Sequence, residues 1–365
     1  MVGGRRTLAR RCIVVGMQQC ARWVVFLCAA VTAACGGDGN GVAQDAPAGP
    51  VDTMEVDAPV DAPLDAAMLS ADAGGDATLL SMQGVYGTFA TRSLPDDAIA
   101  YTVNSELWAD GATKRRWLIL PPGSAAIDNA DQEHWVFPPG TRLVKEFTRD
   151  GKLVETRIIE RVAVGGAPVY SMRTYVWNLD QTEAVLDTDG ATDVAGTPHD
   201  APSEAQCSTC HNAEAGKALG FSAVQLAPSI LAMLSASGRL TVPLAAGATF
   251  GPTGTPEAVA ALRYLHANCG HCHSAAGIAQ GQTMRLRLDA ASKAADQEPG
   301  WVTTVNVPAG NPAGLDRIDP MVPINSAVVT RPSLRGAGQM PQIATSEVDT
   351  AGVAILTAWV DSLTP

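Results

Sequence analysis

The chain has 365 residues, 37 acidic against 25 basic side chains, a net charge of −12 and 46% hydrophobic residues. That is enough for two globular units and too few charges for disorder throughout. Five arginines and no acids fall in residues 1–34, so the remainder is more acidic still, which excludes a DNA or RNA binder. Beyond the N-terminus no stretch approaches the roughly 20 apolar residues that cross a bilayer, which excludes a polytopic membrane protein.

Arg5, Arg6, Arg10 and Arg11 precede the apolar run WVVFLCAAVTAA at 23–34, the order of an export signal. The run ends in TAAC at Cys35, followed by two glycines, and resembles a bacterial lipobox. That resemblance implies lipidation of Cys35 and a membrane held through a lipid anchor, on a periplasmic or cell-surface protein of the outer membrane. Thr32 stands where a lipobox usually carries Leu, and an ordinary signal-peptidase site without lipid is the competing reading. Arg5 and Arg6 lack the flanking motif of a twin-arginine signal. Residues 36–83 follow, with the repeat DAPVDAPLDA, nine acids and no Lys or Arg in 38–83. Such a segment repels itself and has little to bury, so it is expected to be a disordered spacer, or else an unselected low-complexity insert.

Residues 84–200 alternate and are β-branched: KRRWLIL at 114–120, TRLVKEF at 141–147, LVETRIIERVAV at 153–164 and VYSMRTYVW at 169–177. They predict an antiparallel, sandwich-like β domain. Trp108, Trp117, Trp135 and Trp177 are expected to fill its core rather than form a glycan platform. The character then changes to helix at 221–238, 256–269 and 346–363, the last with Ser346 as its expected N-cap. The fold class expected is α+β multidomain, with a first CxxCH segment at 201–255 and an all-α domain at 256–365.

With the signal and Cys35 set aside, four cysteines remain: Cys207 and Cys210 before His211, and Cys269 and Cys272 before His273. Both groups read CxxCH. Two thiols so spaced can add to the two vinyl groups of a c-type haem while the following His reaches the iron, and two copies use every remaining cysteine. Two disulfides, a zinc site or a thioredoxin-type pair are the alternatives. Cys210 and Cys269 are too far apart for the usual paired zinc spacing, neither pair sits in a βαβ context, and a disulfide gives no reason for a His after both.

The helix into NCGHCH, VPAGNPAGLDRI at 307–318, GQMPQI at 338–343 and a closing helix with Trp359 resemble a class I cytochrome c domain. The resemblance implies that Met340 is the distal iron ligand of the second haem; Met284 and Met321 lack that surrounding motif. A loop Met filling the core is the bland alternative for Met340. The wider arrangement, from KRRWLILPPG through APSEAQCSTCH to YLHANCGHCH, resembles a bacterial family of di-haem c-type cytochromes over about residues 101–363. That implies two covalently bound haems, single-electron transfer, and a redox partner such as another cytochrome, an oxidase or a dehydrogenase, with a parallel β-helix protein as a further partner. The acidic surface favours a basic partner.

The first motif has no Met-Pro loop after it. His199, Met172 and Met233 are its candidate sixth ligands, Met233 being the preferred one. An unfilled position would instead make a haem enzyme; FPPGTRLVKEF ahead of a CxxCH is similar to cytochrome P460 proteins, whereas the di-haem peroxidase arrangement fits only the second motif. His266 and His271 are expected to support the second motif rather than ligate, and His134 carries no motif. Relay requires the two motifs to approach each other in the fold.

Overall fold

The computed structural model describes residues 77–162, 169–214 and 216–365. The export signal, Cys35 and most of the acidic spacer lie outside the described residues. The last spacer residues do not follow their expectation. Leu80, in a short 3-10 turn at Leu80–Gln83, is fully buried, so folded structure starts before residue 84.

The sheet is a six-stranded antiparallel meander: β1 (Ile99–Ala100), β2 (Thr113–Ile119), β3 (Arg142–Arg149), β4 (Lys152–Val162), β5 (Val169–Trp177) and β6 (Ala184–Asp187), adjacent in chain order. Alternation gives it two apolar faces. On one, Trp117, Val144, Ile158, Tyr175 and Trp177 pack under the N-terminal segment that carries Leu80, Val85 and Tyr86. On the other, Leu118, Leu143 and Ile159 join Trp135 and Phe137 of the β2–β3 connection and Phe221 from beyond the sheet. The antiparallel sheet is as expected, but irregular and helical chain rather than a second sheet covers its two faces; the other sheet among the described residues is a two-stranded parallel pair, 252–253 with 293–294. Trp117, Trp135 and Trp177 are core residues as expected. Trp108 is only half-buried, and its indole N–H donates to Asp110 Oδ1 (3.1 Å) and to the carbonyl of Glu347 (3.0 Å).

The helices are α1 (Glu204–His211), α2 (Pro228–Ala236), α3 (Pro256–Asn268), the short α4 (Pro299–Val302) and α5 (Ala327–Thr330), and α6 (Thr350–Ser362). Helix α2 is shorter than predicted. Pro228 sits at its first turn and forces Ala227 into extended backbone, leaving 221–227 outside the helix, where Phe221 packs edge-on to Tyr101, Trp135 and Phe137. Helix α6 starts at the Asp349 cap, whose side chain accepts from the Gly352 N–H (2.8 Å), rather than at Ser346. Helices α3 and α6 share a core with Leu262, Leu265, Leu356 and Trp359, and a Cβ on Gly352 would run into the Tyr264 ring.

The described residues all belong to one compact unit. Asp110, buried at a left-handed backbone position, fastens its sheet and helical parts together: its carboxylate accepts from Thr345 Oγ1 (2.7 Å), the Ser346 N–H (2.9 Å) and Oγ (3.1 Å), and the Glu347 N–H (3.1 Å). Next to it, the Trp108 N–H donates to Asn268 Oδ1 (2.7 Å), directly before Cys269. The mixed α+β class is thus observed. No helix among the described residues is long and apolar enough to cross a membrane.

Candidate functional site

Between the sheet and the helices lies a mostly apolar cavity of about 1140 Å³. Cys207, Cys210, His211, Cys269, Cys272, His273 and Met340 all line it.

The first motif is carried on α1. Ser203 and Gln206 form a reciprocal capping box at its start. The positions i, i+3 and i+4 then put Cys207, Cys210 and His211 on one helix face, toward β5, where Thr174 hydrogen-bonds the Cys207 thiol. His211 Nδ1 lies 2.6 Å from the Lys217 carbonyl, which requires it to carry the proton and leaves Nε2 as the free lone pair. Burial, reinforced by Lys145, pushes this imidazole down to about 3, so it is neutral at ordinary pH.

The second motif is built on the turn beyond α3. Cys269 is the helix C-cap, and the Cys272 and His273 N–H groups return to its carbonyl (3.1 and 2.9 Å). Gly270 is dictated by space: a Cβ there would sit 2.7 Å from the His266 carbonyl and 3.1 Å from that of Leu286. His266 is buried, pushed down to about 3 by burial, and its Nδ1 accepts from the Leu288 N–H (3.0 Å). It braces the turn. His273 Nδ1 is buried without a hydrogen-bond partner, and burial lowers its basicity as well. Met340, whose N–H donates to the Arg331 carbonyl (3.1 Å), enters the cavity from the loop between α5 and α6.

The two motifs meet. The thiols of Cys210 and Cys272 and a ring nitrogen of His271 lie within 4.8 Å of one another. A hydrogen bond from Cys210, with a second from His271, makes Cys272 the more acidic thiol, while Cys210 is raised by the same contact. Burial raises the other two thiols, Cys269 to about 12. With the His271 contact as well, Cys272 is the thiol most readily ionised, and none of the four is in a disulfide. The three clustered donors would suit a borderline-soft ion, but a closed structural zinc site takes four protein donors and this group has three.

Of the remaining candidates, Met172 on β5 and Met284 line the cavity. Met233, the preferred sixth ligand, is surface-exposed on α2 and outside the cavity lining, and Met321 is exposed also, so neither is positioned for the role. His199 is buried with Nε2 held at 2.9 Å from Glu155 Oε1. His134 lies beside Asp131 (3.0 Å) and 3.6 Å from Glu214. Sequence reasoning missed the sheet wall. Lys114, Arg116, Lys145 and Arg157 line the same cavity, and burial pushes Lys145 down to about 7 and Lys114 to about 8, with neighbouring cations adding to the first.

These features define a mixed α+β protein with a cysteine- and histidine-lined cavity between its sheet and its helices. Comparison with protein-family models, curated proteins and solved structures finds no match for this chain.

Proposed function

We propose that the chain is an exported, lipid-anchored di-haem c-type cytochrome that passes single electrons in the cell envelope. Cys207 and Cys210 would anchor one haem and Cys269 and Cys272 the other, with His211 and His273 as proximal ligands and Met340 as the distal ligand of the second. The observation that carries this reading is the convergence of both CxxCH motifs and Met340 on one cavity.

The residues present fit the group. The cavity exceeds the roughly 300–1,000 Å³ usual for a single small ligand. His211 is held by a backbone carbonyl through one ring nitrogen with the other free, the arrangement that orients metal-ligating imidazoles. His273 presents a buried, unpartnered Nδ1 beside the second motif. A bound haem would supply a one-electron Fe(III)/Fe(II) couple. The chain's own part is to keep both imidazoles neutral by burial, exclude water with apolar walls, and offer a thioether at Met340, a ligand that raises the potential. Packing of α3 against α6 around Trp359, with the Met340 loop between α5 and α6, supports a class I cytochrome c reading of 256–365. The net charge of −12 favours a basic redox partner, such as another cytochrome, an oxidase or a dehydrogenase. The lipid anchor at Cys35 and the parallel β-helix partner rest on sequence resemblance alone.

The test is an absorption spectrum and intact mass of the full chain made together with the haem-attachment machinery. Two attached haems, low-spin and indifferent to carbon monoxide when reduced, are expected. A colourless protein with free or cross-bridged thiols overturns the proposal. Carbon monoxide binding at one haem would favour the enzyme alternative at the first motif, where Met172 is the cavity residue available to close the sixth position. Met340→Ala should lower the potential of one haem only; an unchanged titration removes Met340 from its role.

A further inference from the structure

The sheet register sets Arg116 opposite Lys145, Lys145 opposite Arg157, and Arg157 opposite Thr174, on four consecutive strands. Directly opposed like charges on neighbouring strands repel, so three in a row need compensation. Two of them have it. Arg116 pairs with Glu106 (3.1 Å), and Arg157 forms a two-pronged pair with Glu155 (2.6 and 2.8 Å). Lys145, in the middle of the row, is paired with no carboxylate among the described residues; its ammonium donates to the Leu219 carbonyl (2.9 Å). An ammonium has three donors, so two stay available on a half-buried group that lines the cavity. A cation drawn out of bulk water with no ion-pair partner is costly, and Glu106, which acts on Lys145 only from beyond pairing distance, is already shared by Arg116 and Lys114.

From this geometry we infer that the sheet wall is an anion-binding site: Lys145, flanked by Arg116 and Arg157, takes a carboxylate at the floor of the cavity. The ammonium supplies the free donors, the two guanidiniums, already paired with Glu106 and Glu155, add positive potential on either side of it, and a low-dielectric wall strengthens the contact. The site adjoins the first motif: Thr174, at the end of the row, hydrogen-bonds Cys207, and Leu219 lies two residues beyond the Lys217 carbonyl that holds His211. Two sources share this chemistry, a free small carboxylate or the carboxylate of a cofactor seated at that motif. The inference stands on the charge row and does not require the cofactor to be haem.

The experiment compares the full chain, prepared with the haem-attachment machinery, with Lys145→Met and Lys145→Arg. Two readouts are made on each: calorimetric titration with acetate in chloride-free buffer, and a redox titration. A free carboxylate ligand predicts saturable acetate binding to the wild type, weakened at least about tenfold in Lys145→Met and kept within about threefold in Lys145→Arg, since Met is isosteric but uncharged and Arg retains the charge. A cofactor carboxylate predicts no acetate binding, a lowered midpoint of one haem in Lys145→Met, and a near-normal midpoint in Lys145→Arg. No acetate binding by the wild type together with an unchanged redox titration in Lys145→Met overturns the site. If Lys145→Met does not fold, Lys145→Gln is read in its place against the same wild-type titration. A colourless preparation defeats the haem proposal but leaves the acetate titration valid, and absence of acetate binding there overturns the site as well.

Discussion

The two CxxCH motifs share a pattern but not a scaffold. The first sits on α1, a helix with no buried residue, held by the Ser203 and Gln206 capping box and by the sheet beneath its cysteines. The second follows α3, which has eight buried residues, and its chain turns so tightly that only glycine fits between Cys269 and His271. The spacing Cys-x-x-Cys-His can therefore be presented either by helical periodicity or by a sterically enforced turn. The spacing fixes which donors are near one another, while the supporting chain fixes how much the intervening residues matter.

The largest effect expected from breaking this contrast is at the variable positions inside the motifs. Gly270→Val should cost about 3 kcal/mol in denaturant unfolding, because the new side chain overlaps the His266 and Leu286 carbonyls. Ser208→Ala, at the matching place on α1, should stay within about 0.5 kcal/mol. Similar losses at the two positions would show that the scaffolds do not differ as described.

Asp110→Ala comes next. It removes the acceptor for Thr345, Ser346 and Glu347 and should cost about 2–3 kcal/mol by thermal unfolding, the scale of hydrogen bonds to a charged group. The damage should fall on the Met340 loop and the second motif, read as faster amide exchange there than around α1. Burial works against ionisation of Asp110, but the hydrogen bonds from Ser346, Thr345 and Glu347 outweigh it and hold its carboxyl below the ordinary carboxylate value. With the folded value depressed, the contribution is present above the ordinary value near about 4 and is lost as pH falls through and below it. Wild type should lose stability over that range more steeply than Asp110→Ala. Parallel curves would remove Asp110 from this linkage.

The smallest effect lies at the first motif. Ser203→Ala removes a cap from a helix with little packing of its own and should cost about 1 kcal/mol. Its distinguishing sign is local: amide exchange should accelerate in α1 and not in the turn after α3.

Much of the sheet was legible because alternation at period two is a local signal, and four of its six strands lie where the patterns put them. The candidate site was legible in its donors, since Cys, His and Met at those spacings have few other uses. Less legible were the starts of α2 and α6, where Pro228 and Asp349 overruled the apolar periodicity. Hidden altogether was the role of Asp110, whose carboxylate partners Thr345, Ser346 and Glu347 lie more than 230 residues away in the chain. His266 was expected to support the second motif, but the means, an Nδ1 that accepts from the Leu288 N–H, came only from the fold.

The sequence by itself determined which groups could do chemistry, because thiol and imidazole spacing within a motif is a property of consecutive residues. It also determined an antiparallel sheet followed by helices, through hydrophobic period. Only the tertiary structure decided that Cys210 and Cys272 meet, that Met340 and Met172 reach the shared cavity while Met233 does not, and that three cations on separate strands stand in one row. The reason is physical: burial, strand register and loop closure depend on contacts between distant segments, and a local pattern carries no record of what it will be packed against.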